Sequence, residues 1–189
     1  MIICAFFRVE SNPTESTTFG NGGDGCYYSG RFLGIPSGGI VGVFGLGDVG
    51  RLAVQFAAAF RLRVFGFDIS LAALEDAEKV GAEDTVDSSN ADAMKQLADK
   101  VTNSEGLEGA IVASGAGAAY KAAIRLTGFQ GTIVTVGVPY QPVGVEMASL
   151  VKRRFKLQGT QTGNPVDIRQ MMRLVEKCHV MPEVELSWI

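Results

Sequence analysis

Gly45, Gly47 and Gly50, in the run Gly45-Leu46-Gly47-Asp48-Val49-Gly50, together with Asp68, are the residues of this chain whose types and spacing point to chemistry. An apolar run, Ile40 to Phe44, leads into the glycine turn, and Val49, Leu52, Ala53, Phe56, Ala57 and Phe60 follow at helical spacing. A second apolar run ends at Asp68, about 20 residues beyond the turn. In a strand–turn–helix that holds a pyrophosphate, the first glycine makes the tight turn, the second lets the backbone approach the ligand, and the third lets the helix pack on the strand. The unpaired N–H groups and positive dipole end of the helix then meet the negative charge. A carboxylate at the end of the second strand accepts hydrogen bonds from ribose hydroxyls. The glycine pattern alone is a weak signal. With the strand before it, the helix after it and the acid at the right distance, the segment reads as a dinucleotide-binding βαβ unit and the chain as a nicotinamide-cofactor binder. The competing reading is a glycine-rich turn of another α/β fold, with Asp68 an ordinary neighbour of a helix cap.

Such a turn needs a parallel sheet to hold it, and from Ile40 onward the chain alternates short β-like runs with helical patterns. The strands are expected at Ile40 to Phe44, Val64 to Phe67, Asp84 to Val86, Ala110 to Ala113, Thr132 to Val136 and Phe155 to Gln158. Six strands predict an α/β fold, a doubly wound parallel Rossmann sheet of order 3-2-1-4-5-6 with helices on both faces. Ser70 and Asn90 stand where helix caps belong, Gly81 and Gly128 where helices stop. Met171 and Met172 match the buried face of the last helix and read as core filling. Residues Ser11 to Gly25 are rich in Ser, Thr, Asn and Gly without apolar period, a loop or disordered lead. The expected organisation is an irregular lead over 1–37, disordered or the remnant of an inter-domain segment, and a nucleotide-binding domain over 38–189.

A length of 189 residues fits one such domain, and 47% apolar residues with a net charge of −3 give no electrostatic footprint for nucleic acid. A small-molecule ligand fits better. No run is long enough to span a membrane, and the apolar opening MIICAFF is short, lacks a basic flank and runs into Arg8 and Glu10, unlike a signal peptide. Cys4, Cys26 and Cys178 are odd in number and widely spaced, so they make neither a disulfide framework nor a zinc motif, and a reducing, cytoplasmic compartment is expected.

Other reactive residues have bland readings. Adjacent Cys178 and His179 point in different directions and are read as a buried thiol and a partly exposed imidazole, not a catalytic dyad. Ser114 in ASGAG does not fit the G-x-S-x-G elbow of hydrolases. Lys152, Arg153, Arg154 and Lys156 read as a solvated turn. No residue is assigned a catalytic role and none a metal-ligating one.

The segments GVFGLGDVGRLAVQFA, FGFDIS with LEDAEKVGAEDTVDSS, IVASGAGAAYKAAIRL, GTIVTVGVP and KLQGTQTGNPVDIRQMMRLV follow one another between about Gly38 and Pro182. In that order they resemble the C-terminal nucleotide-binding domain of the zinc-type alcohol dehydrogenases in the medium-chain dehydrogenase/reductase family. The resemblance implies that Gly45, Leu46, Gly47, Asp48, Val49 and Gly50 carry the pyrophosphate and Asp68 the adenosine ribose. It implies that Ser114 lines the adenine and nicotinamide-ribose side, and that Val136, Gly137 and Val138 run beside the nicotinamide ring. An acidic Asp68 favours NAD over NADP. It further implies hydride exchange between an alcohol and a carbonyl compound, zinc in full-length relatives, and a homodimer in which a short strand, matched by Val143 to Val145, pairs across the two-fold axis.

Departures accompany the match. Asp48 stands where the family commonly has Gly, Ala or Pro, with Arg51 one turn on as a compensating charge, and Ala73 replaces a frequent Lys or Arg. Cys26 lies near where the family keeps one zinc ligand, but several residues short of that spacing, and alone it cannot hold zinc. The catalytic N-terminal domain and the closing helix and strands are not found in this sequence. The expectation is therefore an NAD(H)-dependent alcohol dehydrogenase-like oxidoreductase represented mainly by its NAD-binding domain. The alternative is a catalytically inactive, truncated dinucleotide-binding or interaction module; a zinc-independent quinone-reductase-like relative ranks third, because Asp68 argues against NADPH.

Overall fold

The apolar runs become parallel strands, in a computed structural model that describes residues 33–160 and 165–181. Cys4, Cys26 and the expected irregular lead up to residue 32 lie outside the described residues. The strands are β1 (Ile40–Phe44), β2 (Arg63–Asp68), β3 (Asp84–Asp87), β4 (Leu107–Val112), β5 (Thr127–Thr135) and β6 (Lys156–Gly159). They form one parallel sheet in the expected order, β3-β2-β1-β4-β5-β6. The described helices are α1 (Asp48–Ala59), α2 (Leu71–Lys79), α3 (Ala91–Thr102), α4 (Gly117–Leu126), α5 (Met147–Arg153) and α6 (Pro165–Cys178).

Both faces of the sheet are covered, which is why its strands read as apolar runs rather than alternating ones. Val41, Val43, Val64, Ile111 and Val134 pack on one side with Leu52 and Phe56 of α1, Leu74 of α2 and Met171 of α6. Phe44, Phe65, Phe67, Val112 and Ile133 pack on the other with Met94 and Leu97 of α3 and Tyr120 of α4. Phe44 and Phe67 are register partners whose rings stack with centroids 4.5 Å apart. Gly42 makes room for them, since a Cβ there would lie 3.0 Å from each ring and 2.7 Å from Leu107.

Ser70 and Asn90 cap α2 and α3 as expected, accepting from the N–H groups of Ala73 and Ala93. The expected end of α4 at Gly128 and start of the next strand at Thr132 are corrected: α4 ends at Leu126 and β5 begins at Thr127. The chain enters the sheet early because the backbones of Gly106 and Gly128 nearly touch. A Cβ on Gly106 would lie 2.6 Å from the Gly128 Cα, and this approach lets Leu107 pair with Thr127 and starts β4 before the expected Ala110.

The basic run is not simply a solvated turn. Arg153 donates to the carbonyls of Arg125 and Thr127 at 3.4 and 2.9 Å, closing the C-terminal end of α4, and lies over the Phe155 ring. Met171 is fully buried and Met172 partly so, as core filling requires. Cys178 is exposed, not buried: it occupies the solvent side at the end of α6, while the adjoining turn, with His179 at φ 53°, drives Val180 into the core instead. Val143 to Val145 form no strand in the single chain, and Val143 and Val145 rest partly buried on the second core layer.

Candidate functional site

Strand order reverses between β1 and β4, and the crevice outside the carboxyl ends of a doubly wound sheet opens at such a point. Gly45 leaves β1 with φ +90°, a conformation side chains resist, and donates its N–H to the Phe67 carbonyl at 2.9 Å. A Cβ on Gly45 would lie 2.7 Å from the Ser114 Cβ. Gly50, on the first turn of α1, packs so closely that a Cβ would lie 1.9 Å from the Gly45 carbonyl oxygen. Gly47 is different: it precedes α1 with ordinary φ −63°, and a Cβ there would meet nothing within 4 Å. The first and third glycines are thus demanded by the fold, while the second borders open space at the helix N-terminus.

Leu46 buries its side chain completely. Its N–H donates to Asp68 Oδ2 at 2.6 Å, and Asp68 Oδ1 accepts from the Ser70 N–H at 2.9 Å. The carboxylate that ends β2 is therefore already oriented by two backbone amides, one of them within the glycine turn. This bracing of the turn by Asp68 has no signature in the sequence. Ile69 and Leu71 beside it are 73% and 70% exposed and form an apolar flank to the carboxylate.

Asp48 is exposed as the first residue of α1, and Val49 is partly buried against the core. Arg51 does not stand alone as a counter-charge to Asp48; its guanidinium lies 3.9 Å from Asp76 on α2. That carboxylate is held below its ordinary range by its hydrogen bond from Lys79 first, with Arg51 contributing less. Ala73 is partly buried in the first turn of α2.

On the other half of the sheet, Ser114 follows β4 and its Oγ accepts from the Ala116 N–H at 3.1 Å. Gly137 follows β5 so closely that a Cβ would lie 2.4 Å from the Ser114 carbonyl oxygen. Val136 and Gly137 both donate to the Val112 carbonyl, and Val138 is exposed. Gly45, Ser114 and Gly137 are thus brought together at the ends of β1, β4 and β5, with Asp68 one strand away at the end of β2. Tyr120 joins this group unannounced: it sits on the buried face of α4, and its hydroxyl donates to the Gly137 carbonyl. The sequence signal was a tyrosine on an apolar face, since a buried phenol needs a partner.

The site's shape suits a dinucleotide, because the space over Gly47 at a helix N-terminus is a cradle that a side chain would fill. Zinc is another matter. Among the described residues, no three His, Cys, Asp or Glu side chains gather to hold a metal ion, so these residues do not fit the zinc centre implied for full-length relatives.

Comparisons with known proteins agree with this geometry. The family described as zinc-binding dehydrogenase matches residues 49–177. A zinc-binding dehydrogenase from Sinorhizobium meliloti, solved bound to NADP, is 26% identical, with 84% of this chain and 47% of that one covered at a TM-score of 0.75. A cinnamyl alcohol dehydrogenase from Sorghum bicolor is 25% identical, with 87% and 46% covered and a TM-score of 0.77. An alcohol dehydrogenase from Thermotoga maritima, 19% identical with 84% and 46% covered, shares the fold at a TM-score of 0.79. The chain spans about half the length of these structures. With more than half of its residues inside the family match and the glycine turn at the switch point, the chain belongs to the zinc-binding dehydrogenase family, as an α/β domain of the kind found in alcohol dehydrogenases.

Proposed function

We propose that residues 38–189 form the NAD(H)-binding domain of an alcohol dehydrogenase-type oxidoreductase, following a lead over 1–37. The observation that carries this reading is the open space over Gly47, set between the tightly packed Gly45 and Gly50, with the oriented Asp68 carboxylate at the next strand end. Gly45, Leu46, Gly47, Asp48, Val49 and Gly50 offer the turn and helix N-terminus to the pyrophosphate. Asp68 accepts from the adenosine ribose, Ser114 lines the adenine and nicotinamide-ribose side, and Val136, Gly137 and Val138 run beside the nicotinamide ring. The bound nicotinamide would supply hydride exchange with an alcohol or carbonyl substrate, while the chain supplies binding and orientation. No step is assigned to zinc within the described residues.

One relative binds NADP, so coenzyme choice is the point to test. Asp68 would repel a 2′-phosphate. Calorimetric titration of the purified chain should give NADH binding at least about tenfold tighter than NADPH. Asp68→Ala should weaken NADH and narrow that gap. Equal affinity for the two would remove the NAD preference, and binding of neither would remove the dinucleotide reading.

Two further proposals concern assembly and setting. The edge strand β6 leaves Leu157 exposed, and Val138, Tyr140, Met147 and Val151 nearby in sequence are exposed as well. Among the described residues no strand pairs with the outer side of β6, and such an edge with apolar surface supports a homodimer. Light scattering at micromolar concentration should give the mass of two chains; a one-chain mass rejects the dimer. No described helix is long and apolar enough to cross a membrane, and the exposed free Cys178 supports a reducing, cytoplasmic setting.

A further inference from the structure

Charge is divided along the chain, and the fold carries that division across the sheet. From Asp68 to Glu108 there are eleven acidic residues and three basic ones; from Gly109 to Thr160 there are six basic residues and one acidic one. The first stretch builds α2, β3 and α3, the second α4, β5, α5 and β6, and strand order sets β3 and β6 at opposite edges. Ion pairs do not even this out. Arg51 and Lys79 meet Asp76, Arg63 meets Glu83 and Lys95 meets Asp99, all carboxylates of the acidic half. Among the described residues these pairs engage neither Glu75, Glu78, Asp84, Asp87 and Asp92 on that side nor Arg125, Lys152, Arg154 and Lys156 on the other.

The basic side has the make-up of a contact surface. Arg153 donates to the Arg125 and Thr127 carbonyls, which brings the ends of α4 and α5 together at the amino end of β5. Arg154 turns back at φ 54° and lies over the ring of Phe129, 6.0 Å from its centroid, and that ring is 61% exposed. Arg125, Lys152 and Lys156 are exposed as well. Arginine on an exposed aromatic ring is the composition that anchors interfaces. A two-fold contact of this surface with itself would set cation on cation, and one of the β3 edge would set carboxylate on carboxylate. The attractive combination is one surface against the other, and since the two lie on opposite edges of one sheet, it takes two molecules.

We infer that the surface around Arg125, Phe129 and Arg154 docks the acidic β3 edge of a second copy of this chain, with Glu75 and Glu78 of α2 among its partners. The contact is head-to-tail, so it is separate from the two-fold dimer proposed above and rests neither on it nor on dinucleotide binding.

The test is light scattering of the full chain at about 100 μM in about 20 mM and about 500 mM salt, between which the screening length falls from about 20 Å to about 4 Å. The average mass at low salt should be at least about twice that at high salt. Two double variants, Lys152→Glu with Arg154→Glu and Glu75→Lys with Glu78→Lys, should each keep the high-salt mass at low salt. Once circular dichroism shows both folded, their equimolar mixture should regain the parent's low-salt mass, because each supplies the surface the other has lost. A parent mass that ignores salt overturns the inference without any variant, and so does a mixture of folded variants no heavier than its components. Loss of assembly in the first variant but not in the second overturns the second copy as the occupant. A one-chain mass at high salt rejects the two-fold dimer alone.

Discussion

A methyl group added at Gly50 would lie 1.9 Å from the Gly45 carbonyl oxygen, whereas one added at Gly47 meets nothing within 4 Å. Identical letters in the sequence therefore carry different physical demands. Gly50→Ala must push α1 away from the strand end, so it should lower stability by about 1–3 kcal/mol, in the range of overpacked cores. Gly47→Ser keeps an allowed backbone and gives α1 a good capping residue, so its stability should change by no more than about 0.5 kcal/mol. Its hydroxymethyl group nonetheless stands where a pyrophosphate would approach, and NADH binding should fall. Thermal melts set beside NADH titrations separate the two; a Gly47→Ser chain that binds NADH as well as its parent would argue that the open space serves no ligand. The pattern of glycines was legible because turn, approach and packing each leave one mark in sequence. The contact between Gly45, Ser114 and Gly137 was not, since it joins residues from three strands and only the folded sheet reveals their distances.

The local elements show where charge can be read as stability. Asp87 ends β3 and accepts from the Ser89 N–H at 2.8 Å, a bond that holds its carboxyl below the ordinary range. A carboxylate whose folded pKa is depressed contributes stability above its unfolded value, about 3.9, and loses it as pH falls through the folded value. Melting temperature should therefore drop on acidification below about pH 4, and Asp87→Asn should flatten part of that drop. An unchanged acid limb in the variant would show that the turn bond contributes nothing measurable. Helix starts at Ser70 and Asn90 were readable, because short polar caps advertise themselves. The start of β5 was not, because Thr127 is drawn into the sheet by the approach of Gly106 to Gly128 across α4. Arg153 was equally opaque: its charge looked like solvent exposure, and only the fold brings it to the open end of α4.

At the scale of the molecule, the crevice draws on both halves of the sheet, Asp68 from one and Ser114 and Gly137 from the other, so its shape depends on β1 and β4 staying paired. The outermost layer is held differently. Gln55 on α1 donates to the Met181 carbonyl at 2.9 Å and accepts from the Met181 N–H at 2.8 Å, pairing with both main-chain groups of that residue as a neighbouring antiparallel strand would. The partners stand 126 positions apart in sequence. Contacts of such long range form late and open readily when few bonds hold them. Amide hydrogen exchange should be faster in 168–181 than in β1 and β4, and Gln55→Ala should quicken it there alone. Uniform acceleration across the sheet would mean that α6 unfolds only with the whole. Where the two regions do separate, the chain has a seam: α6 can swing away and return as a unit while the strands that frame the crevice remain closed.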